Sequence, residues 1–200
     1  PDGSVPFNDK EYIAVGPRPV GVEPVCFGPF TRDPVACDPA VVGVDRVYVT
    51  WTVFTDIDSR IYFSYSDDQG RSWSEPKSIS GSATFCAFGA GRACDFNQFS
   101  VPTASPANGW LYVAFENFNT VDENQMLLVR SRDGGQTFSA PFFVTPVFDP
   151  PLGALQACAR SVLGQTYVLL VADHGHTPVL AWNDLREYAE FNRDFSHALA

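Results

Sequence analysis

An eight-residue polar segment occurs twice in this chain and constrains its fold more than any other feature. The first copy spans Ser66–Trp73 and the second, 65 positions later, spans Ser131–Phe138. Both read Ser-x-Asp-x-Gly-x-Ser/Thr-aromatic, and both lie between an apolar run and a Ser-x-Pro bend. Ser and Asp side chains close turns by bonding to nearby backbone groups, and Gly allows a positive φ. Each copy therefore predicts a β-hairpin turn anchored by its terminal aromatic residue.

Two copies with similar flanking strands indicate an internal repeat. Apolar–polar alternation predicts antiparallel strands of about five to eight residues before and after each copy. The repeat divides residues 1–200 into a unit at 8–80 with an inserted Cys-containing loop at 18–39, a unit at 81–147, and a degenerate third unit with a tail at 155–200. The inserted loop is too interrupted by Pro for regular structure.

The repeated segment resembles the Asp-box, or BNR repeat, of sialidase-like β-propellers, and the resemblance covers roughly residues 8–182. It implies an all-β fold of propeller-type, four-stranded antiparallel blades, two of them clear and a third degenerate. A sialidase-like ring has six blades, so this propeller is partial, and further copies or chains are expected to complete it. The resemblance also implies that the box residues are structural and lie away from the active site: Ser66, Asp68, Gly70, Trp73, Ser131, Asp133, Gly135 and Phe138.

Charge and cysteine content indicate the compartment and exclude some partners. The net charge of −10 argues against nucleic acid and anionic membranes as partners, and no apolar run is long enough to span a membrane. Cys26 with Cys37, and Cys86 with Cys94, each bracket a short loop, which predicts two local disulfides in a secreted or extracellular protein, at a cell surface or in a periplasm. Four buried free thiols are the alternative, and the pairing of Cys158 stays open.

A ligand-binding face follows from the order of the strands. In an up-and-down blade, the loop between the second and third strands points to the same side as the connections between blades. This side collects polar residues that could bind a glycan, a protein ligand or Ca²⁺, unless they form only a solvated rim. The candidates are Asp56, Asp58, Glu116, Asn119, Asp122, Glu123, Asp149 and Asp173.

Candidate catalytic residues follow from the resemblance. Sialidases hold a substrate carboxylate with three arginines and cleave with a Tyr–Glu pair and an Asp, which here makes Arg60, Arg92, Arg160, Asp58 and Asp95 the candidates. The first strand, Asp9–Val15, carries no arginine, which is a departure from the family pattern. Asp173, His174 and His176 are a candidate metal site, with an ordinary histidine-containing loop as the alternative.

Two functional hypotheses remain. In the first, the chain is a secreted sialidase-like repeat protein that interacts with glycans and forms part of a glycoside hydrolase. In the second, it is a non-catalytic extracellular module that binds ligands or self-assembles through exposed blade edges.

Overall fold

The computed structural model describes residues 6–28, 32–121, 124–147, 168–172 and 178–182. These residues are all-β, with a single short 3₁₀ turn at Ala90–Arg92 as their only helical segment. None of their helical segments has the length and apolar character needed to cross a membrane. The strands are β1 (Phe7–Pro17), β2 (Cys26–Phe27), β3 (Pro34–Val35), β4 (Asp45–Phe54), β5 (Ser59–Ser66), β6 (Lys77–Ser78), β7 (Asn97–Ala104), β8 (Leu111–Asn117), β9 (Asn124–Ser131), β10 (Phe142–Val147), β11 (Val168–Ala172) and β12 (Pro178–Trp182).

Two four-stranded antiparallel sheets account for most of the described residues. Sheet 1 has the order β1-β4-β5-β6, and sheet 2 has the order β10-β9-β8-β7, so that each repeat forms one sheet whose neighbouring strands are antiparallel. Neither sheet closes on itself. The strands β11 and β12 form a hairpin, and β2 pairs with β3. The prediction of four-stranded antiparallel sheets is confirmed.

The main core lies between sheets 1 and 2. One side of sheet 1 contributes Tyr48, Ile61, Phe63 and Tyr65, and one side of sheet 2 contributes Leu111, Val113, Phe115, Leu127 and Val129. The alternation of side chains along each strand brings these residues to one side, as the sequence pattern predicts. The opposite side of sheet 2 has its own buried cluster, which includes Tyr112, Ala114 and Met126.

Several strand boundaries differ from the prediction. The inserted loop is not wholly irregular, because Cys26–Phe27 pairs with Pro34–Val35 across the first disulfide. The strand after the first box is shorter than the five to eight residues expected and spans only Lys77–Ser78. Before it, Ser74 is held to β5 by hydrogen bonds that involve its side chain and its carbonyl. Of the degenerate third unit expected at 155–200, only residues 168–172 and 178–182 belong to the described residues.

The two Asp-boxes form the same hydrogen-bond network. In the first, the Ser66 hydroxyl donates to Asp68 (2.8 Å) and accepts from the Gly70 amide (2.8 Å), while the Ser72 amide and hydroxyl donate to Asp68 (2.8 and 2.6 Å). The second box repeats these bonds with Ser131, Asp133, Gly135 and Thr137 at 2.5 to 2.9 Å. Both turns are thus closed by their own side chains, as the motif predicts.

The second box also packs against sheet 1. The Phe138 ring meets the Phe63 ring edge-on, with 5.0 Å between centroids. Gly135 has φ +92°, and a Cβ there would lie 2.3 Å from the Phe63 ring. Glycine is therefore required at this position by both the turn and the contact with the neighbouring sheet.

We expect Gly135→Ala to destabilise the protein more than Gly70→Ala. Gly70 also has a positive φ (+84°), but the nearest atom to its added Cβ is 3.6 Å away, on Trp73. The backbone penalty of about 1 kcal/mol is common to both variants, and overpacking against Phe63 adds about 1–3 kcal/mol to the first. Chemical denaturation measures both free energies of unfolding. Equal losses would contradict the close packing of the second box on sheet 1.

Acid should destabilise the fold through the box carboxylates. Burial alone would raise the pKa of Asp68, but hydrogen bonds from Ser72 and Ser66 outweigh burial and lower it below the ordinary value of 3.8. Asp133 has a lowered pKa for the same reasons. A lowered folded-state pKa contributes stability that is present above the unfolded-state pKa and is lost as pH falls through the folded value. We expect the melting temperature to drop steeply below about pH 4, and less steeply in Asp68→Asn. Parallel curves for the two proteins would contradict this prediction.

Candidate functional site

Three loop segments meet at the end of the sheets opposite the boxes. They are residues 55–58 between β4 and β5, residues 94–97 leading into the start of β7, and residues 117–119 at the end of β8 and just beyond it, and we call them the loop cluster. The Ser59 amide donates to the Asp95 carbonyl at 2.6 Å. The Asn97 side-chain amide donates to the carbonyls of Ser59 (3.0 Å) and Cys94 (2.8 Å). These bonds join the two sheets at this end.

A ladder of buried amide side chains supports the loop cluster from below. Asn119 accepts from the backbone amides of Asp95 and Phe96, both at 3.0 Å, and donates to the Asp95 carboxylate at 2.8 Å. Asn117 donates to Asn97 at 2.8 Å and accepts from Gln125 at 2.7 Å. Since buried polar side chains are costly unless bonded, this satisfied ladder fixes the loops in one arrangement.

Arg60 lies between two carboxylates at the surface of the loop cluster. Its Nε donates to Asp58 at 2.6 Å, and its Nη2 lies 3.9 Å from Asp95. Burial would raise the pKa of Asp58, but the Thr55 hydroxyl and Arg60 donate to it and hold its pKa below the usual value. The hydrogen bond to Asp58 in turn raises the pKa of Arg60. Asp58 is therefore ionised at neutral pH and is not a proton donor there.

A shallow depression of about 250 Å³ opens beside this ion pair. Three aromatic rings and several polar groups surround it. Its lining consists of Phe54, Thr55, Asp56, Ile57, Asp58, Ser59, Phe96, Gln98 and Phe118. Apolar rings interspersed with a few polar groups are the usual composition of small-ligand sites.

Both predicted disulfides are present. The Cα atoms of Cys26 and Cys37 are 5.1 Å apart, and those of Cys86 and Cys94 are 5.3 Å apart. The second disulfide is fully buried and holds the loop cluster through Cys94, whose carbonyl accepts a hydrogen bond from the Asn97 side-chain amide. The first holds the inserted loop over the first box, where the Val25 amide donates to Asp67 at 2.8 Å.

The structure brings some of the predicted ligand-face residues together. Asp56, Asp58, Arg60, Asp95 and Asn119 all belong to the loop cluster or line its depression. Glu116 was expected in a loop but lies within β8, where it is 2% exposed and accepts from Asn124. Arg92 is exposed and donates to the Thr84 carbonyl, whereas Arg60 contacts Asp58 and Asp95. Asp122, Glu123, Asp149, Cys158, Arg160, Asp173, His174 and His176 lie outside the described residues.

Sequence reasoning did not find the aromatic residues of the depression or the amide ladder. Phe54, Phe96 and Phe118 each occur at or beside a strand end, next to a predicted polar loop, which is the signal that could have indicated them. Asn97 and Asn117 occupy facing positions of β7 and β8. The sequence alone does not predict that these two residues face each other, because a bulge between Gln98 and Val101 shifts the pairing of β7 with β8.

Metal binding finds no support within the part of the chain that the structure describes. There, no group of three or more His, Cys, Asp or Glu side chains is arranged to hold an ion. The carboxylates of Asp58 and Asp95 are instead engaged by Arg60, Thr55 and Asn119.

Comparisons with known proteins assign no family to the chain. A scan against protein-family models finds no match. A search of curated proteins likewise finds no significant match.

The two disulfides should affect the loop cluster differently. Each closes a short loop and is expected to contribute about 2–3 kcal/mol to stability. We expect Cys86→Ser/Cys94→Ser to increase amide hydrogen exchange at residues 94–97 and 117–119, because these loops rest on the disulfide. The matched variant Cys26→Ser/Cys37→Ser should increase exchange around the first box instead. The same exchange pattern in both variants would contradict this separation.

Proposed function

We propose that the chain is part of a secreted, sialidase-like repeat protein whose four-stranded sheets are propeller blades and whose loop cluster binds glycans. The repeated box network and the stacking of the two sheets support the propeller assignment. The two disulfides support an oxidising, extracellular location. The observation that carries the ligand proposal is the depression beside Arg60, where aromatic rings and hydrogen-bonding groups occur together.

The charge of the depression favours a neutral sugar over sialic acid. Asp56 and Asp58 line it, and Asp95 lies beside Arg60, so that one guanidinium faces several carboxylates. Arg60 is already engaged by Asp58 at 2.6 Å and is not a preformed partner for a substrate carboxylate. A neutral pyranose avoids this repulsion, can place its apolar face on a phenylalanine ring, and can direct its hydroxyls to the polar groups.

The same geometry favours binding over cleavage. Glycoside hydrolysis needs a protonated carboxylic acid beside the leaving oxygen, which requires a raised pKa. The pKa of Asp58 is lowered instead. Arg60 and Arg92 do not share partners, so these two candidate arginines do not form a cluster that could hold a substrate carboxylate. We therefore favour the non-catalytic form of the glycan-binding hypothesis for this part of the protein.

The proposal predicts binding of neutral oligosaccharides that depends on Phe118. The probes are a set of neutral oligosaccharides that includes lactose, with 3′-sialyllactose as the acidic counterpart of lactose. We expect at least one neutral member to bind, and lactose to bind no more weakly than its sialylated form. Because a half-buried ring supplies much of the contact, Phe118→Ala should weaken binding about tenfold or more, equivalent to about 1.4 kcal/mol. Titration calorimetry measures the affinities.

Phe142→Ala provides the matched control, since Phe142 is a half-exposed phenylalanine on the edge strand β10 and is absent from the depression. Its affinity should equal that of the unmodified protein. No binding to any neutral sugar would refute the ligand proposal. Release of sialic acid from 3′-sialyllactose would refute the non-catalytic form.

A further inference from the structure

A hollow of about 370 Å³ opens on the side of sheet 1 that faces away from sheet 2. Trp51 and Tyr62 form its wall, because they pair in the register of β4 and β5. Their ring centroids are 6.1 Å apart and their planes are tilted by 34°. Tyr62 alternates along β5 with the core residues Ile61 and Phe63, which places it on the outer side. The rest of the lining consists of Asn8, Glu11, Val53 and Pro76. The volume lies in the range of small-ligand sites.

A bulge in β1 brings Glu11 to this hollow. The register of β1 against β4 shifts between Asp9 and Tyr12. The two residues in between, Lys10 and Glu11, lie opposite the single residue Trp51. Lys10 takes up the irregularity with a φ of 57°, and Glu11 is exposed and lines the hollow. Bulges re-aim side chains in this way and are common next to functional sites.

Sheet 2 contains the corresponding bulge and uses it differently. The register of β7 shifts between Gln98 and Val101, which makes Ser100 the counterpart of Glu11. The Ser100 hydroxyl donates to Thr50 at 3.0 Å between the two sheets. A carboxylate at this position cannot be buried in the same way without a cation, because an unpaired buried charge is costly. A partner that covers Glu11 must therefore carry positive charge.

The neighbouring cations of the chain have other partners. Lys10 forms an ion pair with Asp9, and its Nζ lies 5.1 Å from the centroid of the Phe99 ring in β7. Arg60 is engaged by carboxylates of the loop cluster. Within the described part of the chain, no lysine or arginine forms an ion pair with Glu11. Its carboxylate is thus free to bind a ligand.

The aromatic wall of the hollow also lacks a cation among the residues that the structure describes. The contrast is with Trp110, where the guanidinium carbon of Arg132 lies 4.4 Å from the ring centroid. No such contact involves Trp51 or Tyr62 in the described ranges. Cations bind over aromatic faces, and the Trp ring attracts them most strongly. Two tilted rings beside a free carboxylate therefore form a site whose charge and shape fit an organic cation.

We propose that this hollow binds a small trimethylammonium cation of the choline type, with its methyl groups against Trp51 and Tyr62 and its charge balanced by Glu11. A methylated nitrogen has no N–H group to satisfy, which suits a lining completed by Val53 and Pro76. A primary ammonium is strongly hydrated and would lose that water for few acceptors. The net charge of −10 attracts cations to the protein as a whole. This proposal does not depend on the glycan site.

Titration calorimetry with choline tests the proposal, and dimethylbutanol, in which carbon replaces the nitrogen of choline, is the neutral control ligand. We expect choline to bind at least about tenfold more tightly than dimethylbutanol, because only the cation gains from the rings and from Glu11. Phosphocholine should bind more weakly than choline, since the carboxylate repels its phosphate. No binding of choline up to about 10 mM would overturn the proposal. Equal or tighter binding of either other probe would overturn it as well.

Two matched variants locate the site. Glu11→Gln should weaken choline binding about threefold or more and leave dimethylbutanol binding unchanged. Glu23→Gln is the control, because Glu23 is an exposed acid in the inserted loop and is absent from the hollow. It removes the same charge and should bind choline as the unmodified protein does. Equal choline affinities in the two variants would overturn the role of Glu11.

Trp51→Leu tests the aromatic wall and should weaken choline binding about tenfold, with a smaller effect on dimethylbutanol. Equal losses for the two ligands would contradict a cation held over the ring. Because Glu11 is exposed, Glu11→Gln should keep the unfolding midpoint of the unmodified protein. It therefore tests the site even if Trp51→Leu does not fold.

Discussion

The buried ion pair between Arg46 and Asp67 is the interaction on which the arrangement of the two sheets depends. Both side chains are fully buried, and the guanidinium binds the carboxylate through Nε at 2.8 Å and Nη2 at 2.5 Å. The remaining nitrogen, Nη1, donates to the Gly134 carbonyl at 2.6 Å, and the guanidinium lies 3.9 Å from the centre of the Tyr65 ring. The pair therefore joins the start of β4, the first box and the second box. A buried charge left without its partner costs about 3–5 kcal/mol, so neither residue is replaceable alone.

The two ends of the sheets differ in character. At the box end, charged and hydroxyl side chains form hydrogen bonds within the turns and between the two sheets. The inserted loop, held by its disulfide, adds a hydrogen bond from the Val25 amide to Asp67. At the loop-cluster end, the ladder of buried amides fixes the backbone and leaves Arg60, Asp58 and several rings at the surface. The box end is thus used for stability, and the opposite end is available for a ligand.

The sequence predicted the parts of this structure that depend on neighbours in the chain. The box turns, the disulfides across short loops and the alternating strands around Tyr48 and Phe63 all follow from local patterns. Arg46 was missed because its partners, Asp67 and Gly134, are distant in sequence and nothing local marks an arginine at a strand start as buried. Glu116 was misplaced because β8 continues two residues beyond the apolar run. The amide ladder of Asn97 and Asn117 depends on the register between strands, which the bulge in β7 sets.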